Sequence, residues 1–541
     1  MVSDAIKEAR SAASGYSVLS ASTGQSGEGE RTYPDKLDAA LLRIAAVCGL
    51  VSVMAALDTT AVVIAQRAFI DQFGSTQAVV SWTLAGYMLA LATVIPITGW
   101  AADRFGTKRL FMGSVLLFTL GSLLCAIAPN ILLLIIFRVL QGIGAGMLWP
   151  VSIMILTREA GPKRLGRLMA LGVIPVVLGP IGGPILGGWM IGAYGWKSIF
   201  LLNLPIGLAA FVLAAIFFPR DRPALSETFD VIGVLLLSPG VAIFLSGVCS
   251  IPGRHTVADR YVLIPAIIGL ALIVAFVYHA LYRTDHPLID LRLFKNRVVT
   301  QANVTLLVFA ATFFGTGLVL ASYFQVVLHQ TPMQVGMHLL PQGLGAVLAI
   351  PFAGAFTDKR GPGKVVLTGL PLIVAGLGIF AYGVATHAGY LPTLLTGQVI
   401  LGLGVGCSST PLATAAVQTL APDKIARGTT LMSVNQQVAS SIGAALMAVI
   451  LTNELNRSDN IAAANKLAAL QQNASRHGVP VDPSAMPRQA LAPDFASNVS
   501  QAFSHAYTTV LIVAVVLVAF TIIPAAFLPR KPADQIRTVN D

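Results

Sequence analysis

The chain has 541 residues, of which 55% are hydrophobic and only 11% are charged, and its mean hydropathy is +0.77. A soluble domain carries roughly 25% charged residues, so this composition excludes an ordinary soluble protein and predicts long apolar segments that face lipid. The net charge of +11 does not indicate a nucleic-acid partner, because the basic residues lie in short runs between apolar segments rather than in one patch.

Fourteen apolar runs are long enough to cross a bilayer as helices, each of which needs roughly 20 residues. Turn-forming sequences such as Pro129-Asn130 separate them. We number these predicted spans 1 to 14 in chain order: 43–66, 79–102, 110–128, 131–157, 168–190, 198–218, 230–249, 260–281, 298–324, 334–357, 364–385, 391–416, 427–453 and 505–528. The sequence therefore predicts an all-α integral membrane protein.

The spans divide the chain into five parts. Residues 1–42 are rich in Ser, Gly and Glu and are predicted to form a disordered cytoplasmic tail. The other parts are an N-terminal six-helix bundle at 43–218, two inserted helices with a cytoplasmic linker at 219–297, a C-terminal six-helix bundle at 298–529 and a cytoplasmic tail at 530–541. The polar segment 454–504 interrupts the last bundle and contains one helix-compatible stretch, Ile461–Gln472.

The distribution of basic residues predicts the orientation. Twenty-six of the 35 Lys and Arg residues fall on the same side as the N-terminus, eight fall on the other side, and Arg138 lies within a span. Cytoplasmic loops carry the excess of basic residues in membrane proteins. We therefore expect a multi-pass protein of the cell (inner) membrane, with both termini cytoplasmic and the segment 454–504 outside.

Two sequence patterns repeat at nearly equal offsets. Spans 2 and 10 end alike, 255 residues apart, in Gly99-x-x-x-Asp103-Arg104-x-Gly106 and Gly354-x-x-x-Asp358-Lys359-x-Gly361. Spans 4 and 12 share a second pattern, 260 residues apart, in Gly142-x-Gly144-x-Gly146 and Gly402-x-Gly404-x-Gly406. The repeats predict two homologous halves, spans 1–6 and 9–14, with spans 7 and 8 inserted between them. Parallel halves of this kind build one large class of secondary transporters.

Two ionisable side chains lie deep in the apolar spans, Asp58 in span 1 and Arg138 in span 4. A charge at the centre of a membrane helix costs about 2.5–3.5 kcal/mol on insertion scales, so such residues usually face a cavity and pair. Burial favours a protonated acid, whereas a nearby guanidinium favours the carboxylate. We therefore predict that Asp58 binds and releases a proton as Arg138 moves. The alternative interpretation is a static structural ion pair.

The repeated Gly-Asp pattern predicts a gate. Gly99 and Asp103 are four residues apart and hence share one helix face. Gly99 would allow another helix to approach, and Asp103 would then meet the positive N-terminus of that helix. The basic residues Arg104 and Arg109 follow at once; the alternative is that these charges only set topology and cap a helix.

Span 5 is unusually rich in glycine and proline. It contains Gly179-Pro180-x-Gly182-Gly183-Pro184-x-x-Gly187-Gly188. Small residues let membrane helices pack closely, and proline bends a helix. The segment therefore predicts either a bendable helix or a tight packing seam.

The remaining candidates are aromatic and polar side chains that would line a substrate cavity or else join helices and anchor them at the interface. They are Trp82, Tyr87, Gln141, Trp149, Tyr323, Gln325, Asn435 and Gln436. The four cysteines lie in apolar segments without paired spacing, which indicates neither disulfides nor a metal site. The sequence has no Walker A, HExxH or GxSxG motif, so we expect no enzymatic activity, no metal and no cofactor beyond a proton gradient.

At these residues the chain resembles the major facilitator superfamily, and within it the fourteen-helix drug:proton antiporters of the EmrB/QacA type, from about residue 43 to 529. The matching motifs are Leu57-Asp58-Thr59-Thr60 in span 1, Gly99 to Arg109 after span 2, and Arg138-x-x-Gln141-Gly142-x-Gly144 in span 4, whose arginine the family implicates in proton transfer. Two more are Gly179-x-x-x-Gly183-Pro184-x-x-Gly187-Gly188, the antiporter motif associated with exporters, and Trp196-Lys197-x-x-Phe200-x-x-Asn203-x-Pro205-x-Gly207.

The sequence departs from the family pattern at three places. Val63 and Gln66-Arg67 stand where the span 1 motif usually has Asn and Leu-Pro, and Lys197 stands where Arg is usual. Spans 10 to 13 hold no acidic residue at depth. Because Asp58 is then the main buried carboxylate, exchange of one proton per cycle is the simplest hypothesis.

The resemblance implies export of amphipathic, apolar or cationic small molecules in exchange for protons, by a chain expected to work as a monomer in the lipid bilayer. Export of an endogenous metabolite or lipid by the same machinery is one alternative. A membrane receptor or scaffold that transports nothing is another, and such a protein has no need of charges at depth. Docking of a periplasmic adaptor on residues 454–504 is left open by the sequence.

Overall fold

The computed structural model describes residues 38–160, 164–220, 229–254, 259–284, 287–420, 424–477 and 486–530, which are helical and contain no β-strand. The predicted tails therefore lie almost wholly outside the described residues. The helices are α1 Ala39–Phe73, α2 Trp82–Phe105, α3 Thr107–Ala126, α4 Ile131–Ala160, α5 Leu165–Tyr194, α6 Lys197–Phe217, α7 Val231–Arg254, α8 Arg260–Tyr282, α9 Arg297–Ser322, α10 Pro332–Arg360, α11 Pro362–Ala385, α12 Leu395–Val417, α13 Ile425–Asn456, α14 Asp459–His477 and α15 Phe495–Ala525.

Helices α1 to α13 correspond to predicted spans 1 to 13, and α15 corresponds to span 14. Thirteen of them are long and apolar enough, within the described residues, to cross a membrane. The other one, α5, is a continuous helix of 30 residues, but several side chains at its centre lie outside the described set. The all-α membrane fold is confirmed, and the number fourteen stays a prediction.

Most helix bounds differ from the predicted ones by a few residues, and two of the differing starts have a clear physical cause. Helix α1 begins at Ala39 rather than 43 because the Asp38 carboxylate accepts a hydrogen bond from Leu41 N at 2.8 Å and caps the first turn. Helix α15 begins at Phe495 rather than 505, since its first turns are polar and a search for apolar residues misses them. The stretch Ile461–Gln472 lies within α14, an additional helix between α13 and α15.

The two halves repeat the same packing. In the N-terminal half α1 packs on α5, α2 and α3 pack on α4, and α6 packs on α3. In the C-terminal half α9 packs on α13, α10 and α11 pack on α12, and α15 packs on α11. The inserted helices α7 and α8 pack on each other, and α7 also contacts α2 and α13. The sequence repeat thus has a counterpart in the arrangement of the helices.

The helix ends define two faces of the bundle. The start of α1 lies beside the end of α6, where Arg43 stacks over the Phe217 ring at 5.3 Å. The start of α11 lies beside the end of α15, where Gly363 N donates to Pro529 O at 3.0 Å. We call the face with these ends the terminal face and the other the opposite face.

Glycines at the terminal face shape the turns after α2 and α10. Gly106 and Gly361 have φ values of +90° and +83°, a region that side chains with a Cβ disfavour. Each glycine ends one helix and lets the next begin at once, as α3 or α11. The repeated motif thus encodes the same backbone turn twice.

Glycines of α5 form a seam with α1. Gly179, Gly183 and Gly187 are four residues apart, and a methyl group on any of them would collide with Ala56, Thr60 or Ala61 of α1. Such spacing lets two membrane helices approach closely. A methyl group on Gly188, by contrast, would meet nothing within 4 Å, and the side chain of Pro184 lies outside the described set. The seam holds α1, and therefore Asp58, against α5.

Candidate functional site

The centre of the N-terminal half holds a buried ion pair between α1 and α4. Arg138 Nη1 donates to Asp58 Oδ2 at 2.6 Å, and both side chains are almost fully excluded from solvent. A charge-assisted contact of this length is a strong hydrogen bond. The two residues that stood out in the sequence as charges at depth are therefore direct partners.

Two side-chain amides complete the contacts of the carboxylate. Gln141 Nε2 donates to Asp58 Oδ1 at 2.9 Å, while Gln141 Oε1 accepts from Arg138 Nη1 at 2.7 Å. Asn203 Nδ2 on α6 donates to the same Oδ1 at 2.8 Å and to Ser122 Oγ on α3 at 2.9 Å. The Asp58 carboxylate thus accepts hydrogen bonds from three side chains, and residues from α1, α3, α4 and α6 meet at one point.

Sequence reasoning had not assigned a site role to Asn203 or Ser122. Asn203 entered only as part of a family motif, and Ser122 did not enter at all. Both are buried, with 1% and 0% of their surface exposed. The sequence signal for Asn203 as a site residue is an amide inside an apolar run. This signal is weak, because amides and hydroxyls also join membrane helices.

Aromatic rings surround the guanidinium of Arg138. Its Cζ lies 4.1 Å from the centre of the Tyr87 ring and 5.9 Å from that of Phe200, and its Nε donates to Thr83 O at 3.2 Å. Cation–π contacts stabilise a desolvated cation by about 2 kcal/mol. Tyr87, a predicted cavity-lining residue, is 1% exposed and supports Arg138 in this structure.

A small pocket borders Asp58 between α1, α5 and α6. Its lining includes Asp58, Asn203, Gly183, Gly187 and Leu186, and it has room for about one water molecule. Leu186 is 42% exposed, so the pocket reaches the surface of the bundle. The glycine seam of α5 thus creates space beside the carboxylate as well as close packing.

The halves meet at the terminal face through the repeated glycines. A methyl group on Gly99 of α2 would lie 2.7 Å from Thr430 Oγ1 of α13, and one on Gly354 of α10 would lie 2.6 Å from Gly166 O of α5. Either contact is too short for a real Cβ. Both glycines are therefore needed for the approach of the opposite half.

Each of the two repeated aspartates forms an ion pair with an arginine at the terminal face. Asp358 lies at the N-terminus of α5, where it accepts from Gly166 N at 2.8 Å, from Arg167 N at 3.2 Å and from Arg167 Nε at 2.9 Å. Asp103 accepts from Arg158 Nη2, near the end of α4, at 2.9 Å. Contact with a helix N-terminus, which the sequence predicts for Asp103, is observed at its repeat counterpart Asp358 and stays a prediction for Asp103.

The basic residues after α2 occupy the terminal face. Arg104 is half-buried and Arg109 is exposed. Lys108, which lies between them, donates to Ala215 O at 2.7 Å and to Phe218 O at 2.9 Å. These carbonyls end α6, where a cation complements the helix dipole.

The other predicted lining residues are dispersed. Trp82 and Gln325 are exposed, Trp82 at 52%, and both lie at helix ends on the opposite face. Tryptophan at such a position typically anchors a helix at the membrane interface. Tyr323 is buried among Phe324, Phe380 and Tyr507.

Trp149 packs near Ala170 and Ile350, where the halves meet, and Asn435 donates to Asn303 O at 2.8 Å. Gln436 is half-buried. The structure does not bring these side chains together with Asp58, and their substrate contacts stay predictions.

Cysteine and metal chemistry do not contribute a site within the described part of the chain. Cys48, Cys125 and Cys407 are free thiols, and no cluster of potential ligands could hold a metal ion among those residues. The Cys249 side chain lies outside the described set.

Two repeated six-helix halves, joined at one face by glycine-mediated contacts and holding a buried acid–base pair, define a membrane transporter. The chain belongs to the Major Facilitator Superfamily, whose family model matches residues 47–444.

Named relatives support the same family. The chain is 63% identical to the Multidrug resistance protein B homolog of Mycobacterium tuberculosis, over 99% of each chain. It is 29% identical to the Multidrug export protein EmrB of Escherichia coli K12, over 75% of this chain and 79% of that protein.

Solved structures share the fold. The proton:xylose symporter XylE matches with a TM-score of 0.56 and 13% identity, over 93% of this chain and 99% of that one. The human organic anion transporter MFSD10 matches with a TM-score of 0.56 and 14% identity, over 88% of this chain and 99% of that one.

The buried pair yields a stability prediction. Arg138→Gln removes the cation from a buried carboxylate, and breaking a buried pair on one side costs about 3–5 kcal/mol. We expect the melting temperature of the purified protein to fall markedly, and to recover in part when Asp58→Asn is added, because no uncompensated charge is then buried. Additive effects of the two substitutions would contradict a direct energetic coupling.

Proposed function

We propose that this protein is a proton-coupled antiporter that exports amphipathic, apolar or cationic small molecules by alternating access. The observation that carries the proposal is the buried Asp58–Arg138 pair, placed where α1, α3, α4 and α6 converge. A relative that shares 63% of its residues is named a multidrug resistance protein, which supports drug-like compounds as the substrate class. We assign the chain no enzymatic activity and no cofactor beyond the proton gradient.

The proton step follows from the hydrogen bonds of the carboxylate. In this structure Asp58 accepts from Arg138, Gln141 and Asn203, an arrangement that suits the ionised form. A protonated Asp58 has an O–H that needs an acceptor. We propose that the Asn203 amide rotates to present its oxygen, which leaves Arg138 free to separate from the neutral acid. Release of the proton restores the ion pair.

The free energy available from one proton is enough to accumulate a substrate against a moderate concentration gradient. One charge crossing 100 mV is worth about 2.3 kcal/mol, and a pH gradient adds to that amount. Since every 1.4 kcal/mol corresponds to roughly a tenfold ratio, one proton per cycle supports accumulation of an uncharged substrate by about fortyfold at this potential. Asp58 is the carboxylate of the buried network, so we propose a stoichiometry of one.

The terminal face is the proposed gate. The Asp358 contacts with the N-terminus of α5 join the two halves there, and they must break for that face to open. We propose that the structure shows the conformer closed on the terminal face.

We also propose that the terminal face is cytoplasmic, because it holds most of the basic residues. A cysteine introduced as Ser497→Cys, exposed at the start of α15, should react in intact cells with a membrane-impermeant maleimide. The matched substitution Lys359→Cys, exposed at the terminal face, should react only after permeabilisation. The reverse pattern would invert the topology.

A monomer suffices for this mechanism, since every side chain of the network belongs to one chain. Helix α14 and the first turns of α15 lie on the opposite face. We propose that a periplasmic adaptor docks there. Export of an endogenous metabolite or lipid would use the same machinery. Measuring transport of a panel of candidate compounds distinguishes it from drug export. A scaffold that transports nothing would show no proton-dependent flux.

The central test is ethidium efflux from cells that make the protein. We expect efflux to stop when a protonophore collapses the gradient, and to fall at least tenfold in Asp58→Asn because the variant cannot exchange a proton. The matched control Asp71→Asn, at an exposed position of α1, should export like the wild type. Efflux that persists in Asp58→Asn or with the protonophore would remove the antiport mechanism.

The gate has a test of its own. Asp358→Ala removes both the cap of α5 and the ion pair with Arg167, and losing a helix cap costs about 0.5–2 kcal/mol. We expect the initial rate of ethidium export to fall several-fold in Asp358→Ala and less in Asp358→Asn, which retains a hydrogen-bond acceptor. Lys359→Ala, the exposed neighbour, serves as control. Equal rates in all three variants would mean that this contact does not control opening.

A further inference from the structure

The repeat that relates the two halves assigns each member of the buried network a counterpart in the C-terminal half. The offset of 260 residues between the glycine patterns of α4 and α12 takes Arg138 to Gln398 and Gln141 to Leu401. The counterpart of the arginine is thus an uncharged amide.

The other helices give counterparts in the same way. The offset of 255 between Gly106 and Gly361 takes Tyr87 to Gln342 and Ser122 to Leu377. For α1 the contacts with α5 and α13 give the alignment to within three residues: Gly187 approaches Ala61 as Met447 approaches Gly315, and Gly183 approaches Thr60 as Gly443 approaches Ala311. The offsets of 254 and 251 take Asp58 to Thr312 or Phe309, which are both uncharged.

These counterparts surround a cavity instead of an ion pair. Thr312, Gln342, Leu377 and Leu401 all line one cavity within the C-terminal half. Among the described residues that line it none is charged. The place that holds the acid–base network in one half therefore holds uncharged polar and apolar side chains in the other.

Two polar side chains at this place lack hydrogen-bond partners among the described residues. Thr316 lines the cavity, is 4% exposed, and its hydroxyl has no partner. Gln398 is 0% exposed, and neither its amide nitrogen nor its amide oxygen has a partner. Gln398 precedes the lining residues Leu401 and Val405 by three and seven positions, so all three share one face of α12.

Buried polar groups are nearly always hydrogen-bonded, and each one left unsatisfied costs about 1–3 kcal/mol. Three such atoms lie together at the repeat counterpart of the buried network, where a hydrogen-bonding group would satisfy them. The rings of Phe309 and Phe313, which line the cavity, lie parallel with centroids 6.0 Å apart.

We propose that this cavity binds an uncharged hydrogen-bonding group of the exported molecule, such as an amide, carbonyl or hydroxyl. Gln398 donates and accepts, Thr316 supplies a hydroxyl, and Phe309 and Phe313 cover the adjoining apolar part. The cavity has room for about one or two water molecules, so it takes one functional group rather than a whole substrate. This assignment rests on the proposed export function, and it places substrate and proton in equivalent positions of opposite halves.

The proposal predicts a defined binding defect. The measurement is equilibrium dialysis of tritiated chloramphenicol, an uncharged compound with an amide, hydroxyls and an aromatic ring, against the purified full-length protein in detergent. Gln398→Leu and Thr316→Val should each weaken binding by about three- to tenfold, the effect of one lost hydrogen bond. Their melting temperatures should stay unchanged or rise, because an unpaired buried polar group has been removed.

The matched control is Gln418→Leu, the same substitution at the terminal-face end of α12. Gln418 is also buried, at 5% exposure, but lies 20 residues from Gln398, roughly 30 Å along a helix. Its binding should equal that of the wild type. Wild-type binding in Gln398→Leu and Thr316→Val, equal weakening in all three variants, or no binding by the wild type would each overturn the proposal.

The same assay separates this proposal from the proposed function. If the binding results are as expected but the wild type shows no proton-driven efflux, the antiport function is rejected and the proposed binding cavity is retained. If efflux is proton-driven but Gln398→Leu binds chloramphenicol like the wild type, the proposed binding cavity is rejected and the antiport function is retained.

Discussion

The structure depends on the need to neutralise one negative and one positive charge inside a low-dielectric core. Asp58 and Arg138 are almost fully buried, and either charge alone would be strongly destabilising there. Their contact therefore determines the relative positions of α1 and α4. Because α6 and α3 add Asn203 and Ser122 to the same cluster, the packing of four helices is tied to one ion pair, whose carboxylate a single proton would neutralise.

The glycine seam of α5 connects the buried pair with the other half of the protein. Gly183 and Gly187 bring α5 close to α1 and leave a small pocket beside the carboxylate. The other end of α5 is held by Asp358 of the opposite half. One helix thus contacts both α1, which carries the proposed proton site, and the proposed gate at the terminal face, so a change at either place acts on the same helix.

The repeat explains why the halves differ in chemistry while sharing a scaffold. Equivalent helices pack in equivalent pairs, yet Arg138 corresponds to Gln398 and Asp58 to an uncharged position of α9. The charges of the N-terminal half bind each other, whereas their uncharged counterparts lie at a cavity beside polar atoms that have no partner among the described residues. A proton binds to a negatively charged group, whereas an uncharged group needs only hydrogen-bond partners. We therefore expect the proton and the uncharged group to bind in different halves.

The amino-acid sequence is enough to predict the membrane class, the two-fold repeat and the depth of Asp58 and Arg138, since a charged residue inside an apolar run is evident whichever way the helix faces. The packed helices were needed to show that Asn203 contacts the carboxylate, that Asp358 caps α5, that Asp103 pairs with Arg158 and that Trp82 is exposed at a helix end. The physical reason is that hydropathy records how deep a residue lies in the membrane. Its partners depend on the rotation of each helix about its own axis, which packing against distant helices decides.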